Sequence, residues 1–133
     1  MTSIRPIATE KAPAPSGPYS QALEVGALLF LAGQRPVDPV TGDIPPGVTE
    51  QVDQSMQNVR AVLEAAGADV SDIVKLTVYL DDLSTFPDMN SALEKWLVEP
   101  YPVRTTVGVQ LRGVRVEIDV TAVNHRDPSP VQH

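Results

Sequence analysis

Two side chains near the C-terminal end, Arg104 and Glu117, are a cation and a carboxylate of types that could bracket a small molecule. An arginine fork makes two parallel, charge-assisted bonds to a carboxylate. A partly buried glutamate can orient a water and accept its proton, and does so best when burial raises its pKa. Other common tools are missing. The sequence has no cysteine, which excludes disulfides, thiol catalysis and cysteine-bound metal clusters. Its two histidines, His125 and His133, fall in the polar C-terminal tail and read as solvated residues, not as a general base or part of a Ser-His-Asp triad. Neither a phosphate loop nor a dinucleotide fingerprint is present.

A terminal hairpin is predicted to hold the pair. Val107, Val109 and Leu111 alternate with polar or small residues, and so do Val114, Val116, Ile118 and Val120. With Arg112-Gly113 as a two-residue turn, the predicted pairs are Leu111–Val114, Val109–Val116, Val107–Ile118 and Thr105–Val120. The opposite face then carries Arg104, Thr106, Gly108, Gln110, Arg115, Glu117, Asp119 and Thr121. Gly108 faces Glu117 in this register and leaves room for a small molecule. Arg104 lies about 13 Å from Gly108 along the strand, so the two long side chains could bracket a ligand of roughly three to six carbons. Residue types alone leave open a plain ion pair at a surface or an interface.

The elements that must position this hairpin follow from periodicity. Residues 1–18 are rich in proline and polar groups and read as an irregular arm ending in the turn Ser16-Gly17-Pro18. Strands are expected at 19–25 and 27–32, joined at Gly26. Prolines at 36, 39, 45 and 46 make 35–47 a loop. Thr49 is the expected N-cap of a helix whose apolar face is Val52, Met56, Val59, Leu63 and Ala66, stopped by Gly67. Val74, Leu76, Val78 and Leu80 form the buried face of a strand. Ser84 or Thr85 caps a second helix, with Phe86, Met89, Leu93, Trp96 and Leu97 as its buried stripe and Pro100 as its end. The order ββ-α-β-α-ββ predicts an α+β domain, with two helices on one face of a mainly antiparallel sheet. Its other face mixes polar and apolar groups, as faces that meet a partner subunit often do. A single domain over 1–123 and a disordered tail over 124–133 are expected.

The 133 residues carry a formal net charge of −7. Nucleic-acid binding depends largely on phosphate neutralisation, and no basic stripe exists: Glu117 and Asp119 directly follow Arg112 and Arg115. No apolar run approaches the roughly 20 residues of a membrane span, and no signal-peptide stretch is present. The expectation is a cytoplasmic protein with neither nucleic-acid nor membrane partners.

Several linked motifs resemble the RidA/YjgF family. Ala14 to Ala22 (APSGPYSQA) resembles its opening motif, and Ala32 to Gly42 (AGQRPVDPVTG) its second. Gln54 to Gly67, Val74 to Leu80 and Phe86 to Asn90 resemble the first helix, central strand and second helix. Pro102 to Val107 (PVRTTV) and Val116-Glu117-Ile118 resemble the C-terminal signature. The resemblance covers roughly residues 12–123. It implies a chorismate-mutase-like fold, a homotrimer with sites in clefts between subunits, and no metal or cofactor. It also implies that Arg104 binds the substrate carboxylate and Glu117 holds the attacking water. Tyr19 and Gly33 would line the cleft, with Asn90 near it, and Thr106 joins them as a candidate substrate-binding residue. Two departures bear on specificity. The segment between Arg104 and Glu117 is shorter than in many relatives, and Val103 stands where alanine is common.

The expected activity is hydrolytic deamination of reactive 2-enamino or 2-imino acids, such as 2-aminoacrylate, to 2-keto acids and ammonia. The alternative is a non-catalytic trimeric ligand-binding or regulatory protein on the same fold. A ribonuclease, an activity attached to some relatives, is disfavoured by the acidity and the missing histidine pair.

Overall fold

The alternating stretch Ile73–Leu80 forms a strand, and it sits inside the sheet with partners on both sides. In the computed structural model, which describes residues 3–125, the elements are β1 (Ile4–Ile7), β2 (Ala22–Val25), β3 (Leu28–Leu31), α1 (Val48–Ala65), β4 (Ile73–Leu80), α2 (Phe86–Glu94), β5 (Val103–Gly108) and β6 (Val116–Val123). The strands make one six-stranded sheet in the order β1-β2-β3-β6-β4-β5. Every neighbouring pair is antiparallel except β4–β5, which is parallel. Leu29, Leu76, Val78, Leu80 and Ile118 from the sheet share one core with Met56, Val59 and Leu63 of α1 and with Met89 and Leu93 of α2. The helices thus cover one face, giving the expected α+β architecture. Among the described residues, no helix is long and apolar enough to cross a membrane.

The terminal hairpin does not form. None of its four predicted pairs occurs, because β4 lies between β5 and β6. Val116, Ile118 and Val120 pair instead with Leu80, Val78 and Leu76. Residues 109–115 cross the end of β4, where Val109 N–H donates to the Leu80 carbonyl (2.9 Å) and Asp81 N–H to the Arg115 carbonyl (3.1 Å). Parallel strands need a long crossover, and residues 81–102, with α2, supply it.

Other expectations also need correction. The N-terminal arm contains β1, which pairs with β2 and is tied to it by the Arg5–Glu24 ion pair (3.1 Å). Proline at position 6 is tolerated because β1 is an edge strand. Tyr19 lies before β2, in a turn where its N–H donates to Gly17 (2.8 Å). The N-cap of α1 is Gly47, not Thr49. Val74 is exposed, because a bulge between Ile73 and Lys75 hands the core position to Ile73. The helix α2 ends at Glu94, and Trp96 and Leu97 pack on the core from beyond it. Thr85 does occupy the N-cap of α2, as one of the two expected caps, but without a side-chain cap hydrogen bond; Ser84 lies in a short 3₁₀ turn where Asp82 accepts from its N–H. Asn124, placed by sequence in a disordered tail, is buried and donates to the Ala66 carbonyl (3.1 Å). The rest of that tail, beyond His125, lies outside the described residues, His133 included.

Candidate functional site

The six candidate residues fall into two groups. In the first, Glu117 of β6 is half-buried beside Tyr79 of β4 and next to the loop that leaves β3. That loop is locked to β6 by a two-way bridge: Gln34 N–H donates to Ile118 (2.7 Å) and Ile118 N–H to Gln34 (3.2 Å). Gly33 is thereby held against the Glu117 side chain. A Cβ at Gly33 would collide with Oε2 and lie 3.0 Å from the carboxyl carbon. The backbone at Gly33 is not left-handed, so glycine is needed here for proximity and not for conformation.

Tyr19 joins this group from the other side. It and Glu117 line a depression of about 340 Å³ with Ser16, Gly33, Arg35 and Arg112. Ser16 N–H donates to the Tyr19 hydroxyl (3.1 Å), and the bonds from the Ser16 side chain and backbone hold that hydroxyl's pKa down. Burial pushes the Glu117 carboxyl up; Arg35 opposes that shift and Asp119 adds to it. Raised, half-buried carboxylates are suited to proton transfer near neutrality.

The second group surrounds Arg104 on edge strand β5. Arg104 Nη1 donates to Asn90 Oδ1 (2.7 Å), and its guanidinium carbon sits 5.4 Å from the centre of the Phe86 ring, close enough for a cation–π contact. Both partners come from α2. A cavity of about 390 Å³ opens here, lined by Asn90, Leu93, Leu97, Tyr101 and Arg104. Thr106 lies two residues along β5 and is half-buried.

The groups are on opposite faces of the sheet. Arg104 stands beside Leu76, on the helix side, whereas Glu117 stands beside Tyr79, on the open side. The expectation that one hairpin face presents both is therefore overturned. Their Cα atoms are on the order of 14 Å apart, from two strand spacings and a three-residue offset. The glycine predicted to leave room beside Glu117 does not do so. Gly108 makes space for Leu83, and Gly33 fills the role beside Glu117. Sequence reasoning also passed over Arg35 and Arg112, which line the Glu117 depression; the available signal was Arg35's place two residues after Gly33. Among the described residues, no group of His, Cys, Asp or Glu is arranged to hold a metal ion.

A family model described as Endoribonuclease L-PSP matches residues 9–124. The YjgF gene product of Escherichia coli superposes with a TM-score of 0.86 at 43% identity, over 92% of this chain and 99% of that one. The chain belongs to the RidA/YjgF family. Among its RidA/YjgF relatives, the 2-iminobutanoate/2-iminopropanoate deaminase of Escherichia coli K12 is 43% identical over 122 residues, covering 88% of this chain and 95% of the relative. The structure of Escherichia coli TdcF with bound serine matches with a TM-score of 0.86 at 40% identity, over 90% and 98% of the two chains. The family match spans both halves of the candidate site, from Tyr19 and Gly33 to Arg104 and Glu117.

Proposed function

We propose that this chain is a hydrolytic enamine/imine deaminase whose site is completed between subunits of a homotrimer. The observation that carries this reading is the half-buried Glu117 carboxylate held under the Gly33 backbone, beside an open depression. Relatives named 2-iminobutanoate/2-iminopropanoate deaminase support the reaction class. In TdcF, the bound serine carries a carboxylate next to an amino group, as a 2-imino acid carries a carboxylate next to its imine.

Arg104 takes the substrate carboxylate through its fork, and Asn90 holds that guanidinium in place. The imine carbon then lies near Glu117 of the partner subunit. Water held by Glu117 attacks that carbon as the carboxylate accepts its proton. The proton passes to nitrogen, and the carbinolamine collapses to a 2-keto acid as ammonia leaves. The ground state is already reactive, so positioning and one proton relay suffice.

Assembly is supported by the open face of the sheet. Val103 is 65% exposed and Phe30 44% exposed, large apolar side chains on the sheet face that the helices leave open. A neighbouring subunit on this face would cover them and bring its own residues to β5. The ribonuclease reading raised by the family model's description conflicts with a net charge of −7 and with the absence, among the described residues, of any histidine lining either group. The deciding experiment is ammonia release from imines generated in situ by an amino-acid oxidase. Turnover above the spontaneous rate that is lost in Arg104→Lys and Glu117→Gln supports the reading, and no acceleration refutes it.

A further inference from the structure

Arg35 is half-buried and has no ion-pair partner among the described residues. Its side chain makes one hydrogen bond there, from Nη2 to the Arg112 carbonyl at 2.8 Å. Most of its N–H donors therefore have no acceptor among the described residues. A guanidinium in that state, lining a depression, is a ready receptor for an anion.

Both ends of the residue are fixed. Asn58, buried in α1, donates from Nδ2 to the Arg35 carbonyl at 3.0 Å and to the Val37 carbonyl at 3.0 Å, which anchors the backbone. The Arg112 carbonyl anchors the tip. The guanidinium lines the same depression as Glu117, with the exposed Arg112 beside it. Its field reaches the Glu117 carboxyl and lowers that group's pKa against the effect of burial.

In the proposed reaction, Arg104 holds the carboxylate next to the imine and Glu117 marks the reacting carbon. A group on the Glu117 side therefore meets whatever the substrate extends beyond that carbon. We propose that Arg35 is a specificity-determining residue that binds a second, distal carboxylate, so that the preferred substrates are imino acids derived from dicarboxylic amino acids. This rests on the deaminase reading and names the substrate class for the same site.

The competing role is structural: Arg35 could merely latch the loop after β3 to the 109–115 segment. Glutamine keeps a donor for the Arg112 carbonyl but loses the charge and the fork. The test is calorimetric binding of 2-oxoglutarate and 2-oxopentanoate, which have equal chain length and differ in the distal carboxylate. Wild type should bind 2-oxoglutarate about tenfold or more tighter. Arg35→Gln should abolish that preference and Arg35→Lys should keep part of it. Equal affinities, absent binding, or a preference that survives Arg35→Gln overturns the proposal. A turnover arm separates it from the underlying reading, using imines made from glutamate and from norvaline. If neither imine is hydrolysed faster than in free solution while the Arg35-dependent preference persists, the deaminase reading falls and the distal-carboxylate site stands.

Discussion

Arg104 and Glu117 project from opposite faces of one sheet, because their neighbours on β4, Leu76 and Tyr79, are three residues apart. An odd separation along a strand reverses the face. One chain therefore cannot close both groups on a single small substrate, which supports the proposed site between two chains.

Subunit complementation tests this directly. Arg104→Ala and Glu117→Gln should each be inactive as pure trimers. Mixed trimers, co-expressed in equal amounts, should recover about a quarter of wild-type ammonia release, since a site between subunits is intact when each side donates its unmutated residue. A single-chain site predicts no recovery. Light scattering on the wild type should give about three times 14.3 kDa.

The contact between Gly33 and Glu117 predicts that Gly33→Ala displaces the carboxylate. Because the backbone there is not left-handed, thermal stability should change little. By contrast, kcat/KM should fall by about tenfold to a hundredfold, the usual effect of moving a catalytic group by an ångström. Unchanged kinetics would remove Glu117's position from the mechanism.

The raised Glu117 pKa makes a pH prediction with a definite sign. The carboxylate must be ionised to accept the water's proton, so kcat/KM should drop as pH falls through a pKa that burial has raised. Arg35→Leu removes the opposing cation and should move this acid limb up; Asp119→Asn should move it down. Stability follows the same linkage. A carboxyl raised in the folded state contributes stability at low pH that is lost as pH rises through its folded pKa. Glu117→Gln should therefore gain thermal stability over wild type at neutral pH, and that gain should shrink in acid. An acid limb that Arg35→Leu lowers would contradict the assignment.

Two buried polar residues of α1 should respond oppositely to truncation. Ser55 is fully buried and its hydroxyl has no hydrogen-bond partner among the described residues, so Ser55→Ala should stabilise by about 1 kcal/mol in urea unfolding. Asn58 satisfies the Arg35 and Val37 carbonyls. Asn58→Ala should cost about 2 kcal/mol or more and weaken the dicarboxylate preference by freeing the Arg35 backbone.

Sequence alone determined the strands and helices with strong periodicity, because side-chain alternation and the 3.6-residue repeat are local properties. Leu76, Val78 and Leu80 on β4 and Val116, Ile118 and Val120 on β6 point to the core as their alternation requires. The family, and with it Arg104, Glu117, Gly33, Tyr19 and Asn90 as candidates, was legible in linked motifs. Strand partners were not. Alternation sets which residues share a face of one strand, but any neighbouring strand of matching phase satisfies it, so β5 and β6 read as a hairpin although β4 separates them. Only the tertiary structure decided that choice. Its parallel β4–β5 register turned Arg104 towards α2 and Val103 and Val107 towards the open face, placed Gly33 and not Gly108 against Glu117, and brought Arg35 beside it from a distant loop. The physical reason is that pairing across the sheet minimises exposed backbone and apolar area over the whole chain, a condition that no local window contains.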